Sequence, residues 1–325
     1  MEGFVYSANE YGNSVSAVDL RDGTVETAPL PISAHNVQIT EKGQLLAVGN
    51  PVAEKQEEGG AHGGGDGAHG AGGEPGLLVV LDPEALSAGP LASISVGNHP
   101  AHVVADAAGA RAFVTNSEDD SISVVDLARN ELVGTIATGR YPHGLRVSPD
   151  GKEAYVAAVD EGAVSVVDME TLTEVARIPV GAAPVQVGFL PDGSRAYVSL
   201  RDENRVAVID TASRKKLDVI EVGRNPIQVH ATPDGARVYV ANQGSEDEPD
   251  DTVSVIDVAT NKVIETIRTG RGAHGVAVSE DGSRIFVTNI VEGTVSVIDD
   301  ATRKVVASFE TGDGPNGITF RSLAN

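Results

Sequence analysis

Histidine is the residue type in this chain whose placement could support metal chemistry. The sequence contains eight histidines. Neutral imidazole nitrogen is a strong ligand for zinc, copper and nickel, provided that several imidazoles converge on one ion. Seven of the eight lie in loops that are predicted to approach one another, and six of these seven are taken as candidate ligands. They make zinc or copper the expected cofactor, and the candidate ligands are His35, His62, His69, His102, His143 and His274.

Four of these histidines lie at the starts of repeated segments. His35, His143 and His274 align with one another, whereas His102 comes one residue later in its segment. The alternative interpretation is that each imidazole is satisfied by nearby backbone and binds no ion. Because neighbouring residues of a strand point to opposite faces, the shifted position of His102 predicts that the four side chains do not all face one point.

The other two candidates, His62 and His69, lie seven residues apart in the glycine-rich stretch EKQEEGGAHGGGDGAHGAGG. Short tracts of histidine and glycine are typical of metal binding. The alternative is a flexible linker with two incidental imidazoles. The stretch is long enough to reach the loops that carry the other four histidines, so we expect it to act as a lid over them.

Two further sets of charged residues recur at fixed places. Arg140, Arg224 and Arg271 each follow a loop glycine and could together bind an anion or a cofactor carboxylate. Pairing with nearby acidic residues at the rim is the favoured interpretation for these arginines. The second set closes predicted strands and is expected to cap turns rather than to catalyse. Its members are Asp19, Asp82, Asp126, Asp168, Asp210, Asp257 and Asp299.

These aspartates recur every 42 residues, apart from three steps that insertions lengthen. In the last complete unit, β-branched and aromatic residues predict strands at 276–278, 284–288, 294–298 and 304–310, with Gly, Asp and Asn in the turns. A period in the low forties with four strands per unit is typical of propeller blades. The chain has room for seven such units.

The two chain ends are predicted to complete one blade. Residues 4–8 read as the second strand of a unit, and residues 317–320 read as a first strand with no second strand after it. Pairing these two strands would close the ring and leave no open sheet edge at the seam.

The repeated strands resemble a known family. The sequence is FVTN at 113–116 and 286–289, YVAN at 239–242 and YVAA at 155–158, and strands reading VSVVD or VSVID end at 168, 257 and 299. These stretches resemble the YVTN-type β-propeller repeat family. The resemblance implies an all-β, seven-bladed propeller of four-stranded antiparallel blades, and it implies no single function.

We expect one domain spanning residues 1–325, interrupted by two insertions. The Gly/His-rich insertion at 51–75 is expected to be flexible, and a short acidic insertion occupies 244–251. Both fall between the second and third strands of a unit. Because antiparallel strands alternate in direction, these loops should share a face with the loops that join one blade to the next.

The amino-acid composition limits the kinds of partner and ligand that are expected. With 47 acidic against 24 basic residues the net charge is −23, which argues against nucleic-acid binding and favours a metal cation or a basic protein partner. The absence of cysteine excludes disulfides, thiolate metal sites and covalent c-type haem. No stretch is long and apolar enough to span a membrane. We expect a periplasmic or extracellular monomer whose export signal has been removed, with the cytoplasm left open.

No catalytic motif requires an enzyme. The chain lacks a Gly-x-Ser-x-Gly elbow, a phosphate-binding Walker loop, a zinc-protease helix and EF-hand spacing. The leading interpretation is a non-enzymatic, extracytoplasmic binding propeller that holds a metal ion or a partner at the insertion-bearing face of its channel. The alternatives are a protein-interaction scaffold without a small ligand, and a lactonase-like hydrolase or non-covalent haem carrier.

Overall fold

The computed structural model describes residues 2–52 and 74–323. Within those residues the chain forms seven sheets, each of four antiparallel strands. Short 3-10 helices occupy Leu86–Ala88, Ser117–Asp119, Val159–Glu161 and Arg201–Glu203. The predicted all-β, seven-bladed propeller is therefore confirmed.

We number the blades from the one that contains both chain ends, and the strands along the chain. Blades 1 to 3 consist of β28 (Pro315–Ser322), β1 (Gly3–Asn9), β2 (Ser14–Asp19), β3 (Val25–Pro29); β4 (Ile32–Ile39), β5 (Leu45–Pro51), β6 (Leu77–Leu81), β7 (Ala92–Ser95); and β8 (Pro100–Ala105), β9 (Arg111–Asn116), β10 (Ser121–Asp126), β11 (Glu131–Ala137).

Blades 4 to 7 follow the same plan. They consist of β12 (Pro142–Val147), β13 (Glu153–Ala158), β14 (Ala163–Asp168), β15 (Thr173–Pro179); β16 (Pro184–Phe189), β17 (Arg195–Leu200), β18 (Arg205–Asp210), β19 (Lys215–Glu221); β20 (Pro226–Ala231), β21 (Arg237–Gly244), β22 (Pro249–Asp257), β23 (Lys262–Arg268); and β24 (Ala273–Val278), β25 (Arg284–Asn289), β26 (Thr294–Asp299), β27 (Lys304–Glu310).

The ring closes through the chain ends, as predicted. Strand β1 pairs antiparallel with β28, with Val5 opposite Phe320 and Ser7 opposite Ile318. The first strand of each blade is its inner strand, and it contacts the inner strands of both neighbouring blades, including β28 with β24 and with β4. Seven inner strands therefore surround one channel.

The hydrophobic core lies between neighbouring blades. An aromatic ring occupies the same place in the second strand of six blades, and all six are fully buried: Tyr6, Phe113, Tyr155, Tyr197, Tyr239 and Phe286. One cluster, for example, joins Tyr239 and Val253 of blade 6 to Val276 and Val287 of blade 7. Truncation of one such ring to alanine should lower the free energy of unfolding by roughly 3–5 kcal/mol. Each blade is therefore held mainly by its packing against its neighbours.

Asparagine at the end of the second strand fastens the loop between blades to the sheet. The side-chain amide of Asn116 donates to Ser121 Oγ and Ser123 Oγ at 3.0 Å, and its oxygen accepts from the backbone N–H of Gly97 at 3.1 Å. Asn289 makes the same set of contacts in blade 7. The asparagine of the FVTN motif thus has a structural role: it fixes the loops that lead into the inner strands.

The recurrent aspartates cap turns, as the sequence predicts. In blade 4, Asp168 Oδ1 accepts from the backbone N–H of Glu170 at 3.0 Å and of Thr171 at 2.7 Å. Equivalent contacts are made by the aspartates of the other six blades, Asp19, Asp82, Asp126, Asp210, Asp257 and Asp299. Their carboxylates are used in local structure.

The loops between blades lie on the same face as the loops between second and third strands. His99 O accepts from Ser117 N, Tyr141 O from Val159 N, and Ala183 O from Arg201 N, each at 3.0–3.1 Å. In blade 6, Gly244 N donates to Arg224 O in the same way. The acidic insertion that follows Gly244 therefore lies on the face that carries the channel mouth.

Candidate metal centre

A β-bulge at the start of each inner strand controls which side chains reach the channel mouth. In blade 4, Pro142 pairs with Ala158 and Leu145 with Val156, so His143 and Gly144 together oppose one residue. Blade 3 has the same irregularity between Pro100 and Val103. A bulge turns two consecutive residues towards similar directions, which ordinary strand alternation does not allow.

Three histidines from consecutive blades converge at the mouth. One ring nitrogen each from His35, His102 and His143 lies within 4.8 Å of the others. The ring centroids of His102 and His143 are 5.0 Å apart, and those of His35 and His143 are 5.3 Å apart. The four histidines therefore do not all form one group, but His274 rather than His102 is the one outside it, because the bulge brings His102 to the mouth.

The remaining candidates have different outcomes. His274 lines the same mouth cavity, but it is not part of the group of three. His62 and His69 lie outside the described residues, as does the stretch expected to form a lid. The set of candidate ligands within the described residues is therefore His35, His102 and His143.

The nearest pair of nitrogens has the spacing that a tetrahedral ion requires. Nε2 of His35 and Nε2 of His143 are 3.3 Å apart. Two nitrogens at about 2.0–2.1 Å from zinc, with a tetrahedral angle between them, are separated by about 3.3–3.4 Å. His35 and His143 are thus already placed for one ion, and His102 has to move closer to complete the set.

Hydrogen bonds set the orientation of both imidazoles. His143 donates from Nδ1 to the carbonyl oxygen of Val185 at 3.2 Å, so its Nε2 lone pair points into the mouth. His35 donates from Nδ1 to Glu10 Oε1 at 3.1 Å, which likewise places a lone pair on Nε2 of the neutral ring. Two lone pairs 3.3 Å apart repel each other unless a proton or a cation lies between them.

Glu10 completes a carboxylate–histidine arrangement of the kind that orients metal ligands. Its second oxygen accepts from the amide of Asn316 at 2.7 Å. Burial raises the pKa of Glu10, but the charge of His35 and the hydrogen bonds from His35 and Asn316 together outweigh it and bring that pKa to about 2. The carboxylate is therefore ionised at neutral pH and holds His35 in place.

His102 is fully buried and makes a different contact. Gln186 Oε1 accepts from the backbone N–H of Val187 at 2.9 Å, so its Nε2 is the amide nitrogen that lies 3.4 Å from His102 Nδ1. The proton of neutral His102 then lies on Nε2, which has no hydrogen-bond partner among the described residues. A Cβ on Gly144 would lie 2.2 Å from Gln186 Oε1, so glycine is required for Gln186 to reach His102.

The local environment favours neutral imidazoles. Burial is the main reason that the pKa values of His102 and His143 lie well below the ordinary range, and repulsion from neighbouring imidazoles adds to it. Burial, followed by the charge of His35, lowers the pKa of His274 to about 3. Neutral imidazole is the form that binds metal, so these groups need not lose a proton at pH 7.

The mouth itself is a small polar cavity of about 180 Å³. Its lining includes His35 and His143 on one side and Val185 and Ile227 on the other. At the rim, Arg140 pairs with Glu161 at 3.7 Å, and Arg224 pairs with Glu248 at 3.0 Å and with Asp250 at 3.6 Å. These two arginines therefore offset nearby acids, in line with the favoured interpretation of the sequence.

Sequence reasoning missed the outer partners of the histidines. Glu10 lies in the loop between β1 and β2, and nothing in its local sequence distinguishes it from other loop acids. The order of the blades was the signal that could have found it, because consecutive blades are neighbours and the Glu10 loop of blade 1 therefore lies beside His35 in blade 2. Gln186 and Asn316 occupy the repeated inner-strand positions, but Gln186 contacts His102 of blade 3, and Asn316 meets Glu10 in blade 1 only because the two chain ends share that blade.

Two family descriptions match adjoining parts of the chain. Residues 76–193 match the YNCE-like beta-propeller family, and residues 193–317 match the cytochrome D1 heme domain. The fold and the first of these matches define a β-propeller. More particularly, the chain is a seven-bladed propeller, and its residues 76–193 are similar to the YNCE-like beta-propeller family. No curated protein matches the chain as a relative.

Solved structures share the fold over nearly the whole chain. A chain of Kuenenia stuttgartiensis hydrazine synthase is 22% identical, with a TM-score of 0.73, and the match covers 93% of this chain and 99% of that one. A functionally unknown protein from Desulfotomaculum acetoxidans is 15% identical, with a TM-score of 0.79 and 99% of each chain covered. At these identities the likeness concerns the fold alone.

The heme-domain match raises the question of whether a haem fits. A pocket for a ligand of drug or cofactor size has about 300–1,000 Å³, whereas the mouth cavity has about 180 Å³. The imidazoles of His35 and His143 also lie too close together, with their Nε2 atoms 3.3 Å apart, to admit a macrocycle between them. The residues of the mouth do not fit a haem.

No helix within the described ranges could span a membrane.

Proposed function

We propose that this protein is a non-enzymatic, extracytoplasmic metal-binding propeller. In this proposal His35, His102 and His143 bind one zinc or copper ion at the channel mouth, on the face that carries the acidic insertion. The ion would be presented there to solvent or to a partner protein. The net charge of −23 supports the attraction of cations and suits an extracytoplasmic medium.

One observation carries the proposal. The outer hydrogen bonds of His35 and His143 leave Nε2 of each neutral ring as the lone-pair nitrogen, and the two Nε2 atoms are 3.3 Å apart. A cation bound to both nitrogens, off the line that joins them, converts this repulsion into coordination at the spacing of a tetrahedral site. The alternative is a proton on His35 Nε2 that donates to His143 Nε2, and metal titration distinguishes the two.

Three imidazoles leave a fourth position of a tetrahedral ion open. Water or a donor group of a partner can occupy that position, so the ion would be accessible from the mouth. A lactonase-like hydrolase would hold its axial cation with carboxylates and amides, whereas the converging groups here are imidazoles. This favours binding over hydrolysis.

Calorimetric titration with zinc and with copper tests the proposal. We expect the parent to bind one equivalent at micromolar concentration and a His35→Ala/His143→Ala variant to lose that binding. The matched control, Ile227→Ala/Ile290→Ala, changes the apolar lining of the same cavity and should bind as the parent does. If the parent binds neither metal, or if the histidine variant binds as the parent does, the proposal is wrong.

A further inference from the structure

The mouth cavity that holds the histidine group also has an apolar lining. Val185 and Ile227 occupy, in blades 5 and 6, the inner-strand position that His143 occupies in blade 4, and Ile290 follows the second strand of blade 7. All three side chains are buried and line the same cavity as the imidazoles. A ligand that enters the mouth therefore meets aliphatic side chains as well as the histidine group.

Arg201 adds a positive charge to this lining. It is the first residue of the 3-10 helix that follows the second strand of blade 5, and it lines the cavity together with Ile227. Its Nε donates to Asp202 Oδ1 at 2.9 Å, whereas its Nη1 and Nη2 have no hydrogen-bond partner within residues 2–52 and 74–323. Among the described residues, no other arginine or lysine lines the cavity.

Other arginines on the same face use these nitrogens for contacts within the protein. Arg140 Nη2 donates to the carbonyl oxygen of Asp160 at 3.0 Å, and Arg224 Nη1 donates to Glu248 Oε2 at 3.0 Å. Arg201 instead keeps two neighbouring N–H groups at the end of its side chain, and this pair of donors matches the two oxygens of a carboxylate.

The size and the charge of the cavity limit what can bind there. Its volume of about 180 Å³ lies below the range of roughly 300–1,000 Å³ that suits a drug-sized ligand, so the ligand is a small molecule. The guanidinium of Arg201 and the open position of the proposed ion both favour an anion. Glu10 and Asp160 line the same cavity, and their repulsion disfavours a second negative charge on the ligand.

From this arrangement we infer that the mouth binds a short-chain aliphatic monocarboxylate, such as acetate or butyrate. Its carboxylate contacts both the metal ion and the guanidinium of Arg201, and its chain packs against Ile227 and Ile290. The inference rests on the proposed function, because the ion supplies one of the two contacts to the carboxylate. Without the ion, Glu10 and Asp160 outweigh Arg201, so the metal-free protein should not bind the acid.

Cobalt(II) in place of zinc makes the test spectroscopic, because the visible bands of tetrahedral cobalt change when its fourth ligand changes. The cobalt-loaded parent is titrated with sodium acetate and with sodium butyrate, at an ionic strength held constant with sodium perchlorate. We expect a saturable spectral change with both acids. Butyrate should bind roughly tenfold more tightly than acetate, because its two further CH₂ groups are buried.

Two variants separate the contacts to the acid. Arg201→Gln should still bind cobalt but should weaken the binding of both acids by roughly 10- to 100-fold, since it removes hydrogen bonds from a charged donor. Ile227→Ala/Ile290→Ala should reduce the preference for butyrate over acetate. The matched control is Arg140→Gln, whose arginine lies on the same face but already donates to Asp160 O, and it should bind both acids as the parent does.

The outcomes distinguish this inference from the proposed function. If the parent binds neither zinc nor cobalt, the proposed function is wrong and this inference falls with it. If cobalt binds but neither acid changes its spectrum, or if Arg201→Gln binds both acids as the parent does, this inference alone is overturned. Calorimetric binding of butyrate to the metal-free protein would also overturn it.

Discussion

The two sides of the channel mouth share a backbone but differ in chemistry. Blades 2 to 4 contribute imidazoles, whereas blades 5 and 6 place Val185 and Ile227 at the position that His143 occupies in blade 4. The bulge and the strand register are the same on both sides. The repeat supplies equivalent backbone positions in every blade. The side chains at those positions alone place the candidate site to one side of the axis.

The largest expected effect comes from removing a ligand on the histidine side. His143→Ala should weaken zinc binding by more than about a hundredfold, because loss of a ligand exceeds the roughly 10- to 100-fold effect of losing an outer partner. His274→Ala is the control, since His274 lines the same cavity outside the group of three. Calorimetric affinities that change equally in the two variants would contradict this view of the mouth.

The side of the channel formed by blades 5 and 6 can be tested through the pH dependence of stability. His230 has an ordinary pKa of 6.5, lowered to about 4 by burial and then by Arg146. The unfolded chain takes up this proton near pH 6.5 and the folded chain only near pH 4. The free energy of unfolding therefore falls as pH drops through that interval, by roughly 2–3 kcal/mol from this group alone.

His230→Asn should remove the contribution of this imidazole to the fall in the free energy of unfolding. Urea unfolding at pH 7.0 and at pH 4.5 measures it as the difference between the parent and the variant at the two pH values. His99→Asn provides a control, because the side chain of His99 is 37% exposed. An unchanged pH dependence in His230→Asn would show that this imidazole is not held neutral in the folded protein.

A smaller effect is expected from the outer partner on the histidine side. Glu10→Gln removes the charge that faces His35 Nδ1, and it should weaken zinc binding by about 10- to 100-fold. Asp160→Asn removes an acid from the same cavity and serves as the control for charge. Equal losses in the two variants would mean that Glu10 acts only through the net charge of the mouth.

The smallest effect concerns Gln186, which we regard as a positioning residue. In Gln186→Glu, one oxygen can still accept from Val187 N while the other accepts from His102 Nδ1–H. The Nε2 lone pair of His102 is then free, and zinc affinity should rise by about tenfold. Gln228→Glu places the same charge in blade 6 as a control. Nitrogen NMR of His102 should show the change of tautomer without metal, and an unchanged tautomer would refute this role.

Much of the architecture could be predicted from the sequence, because propeller blades repeat locally. The spacing of aspartates such as Asp168 and Asp210 gave the period, and the incomplete units at the two ends gave the closure of β1 on β28. The histidines of the loops could also be identified as neighbours. Each of these conclusions depends only on the order of residues along one repeat.

The rest of the site depends on contacts that cross between blades. Strand alternation places His102 away from His143, and only the bulge, which no local residue pattern announces, brings them together. Gln186 reaches His102 past Gly144, so three blades determine one tautomer.

The inner-strand bulge has a consequence for how such a protein changes over evolutionary time. Two adjacent residues in each blade can face the mouth, and neither one has to fill the core between blades. A single substitution at the first position can therefore add or remove a ligand without rebuilding a strand, whereas the second position is restricted to glycine where the next blade approaches closely, as at Gly144. One ring can in this way acquire new ligand sets while its blades remain nearly unaltered.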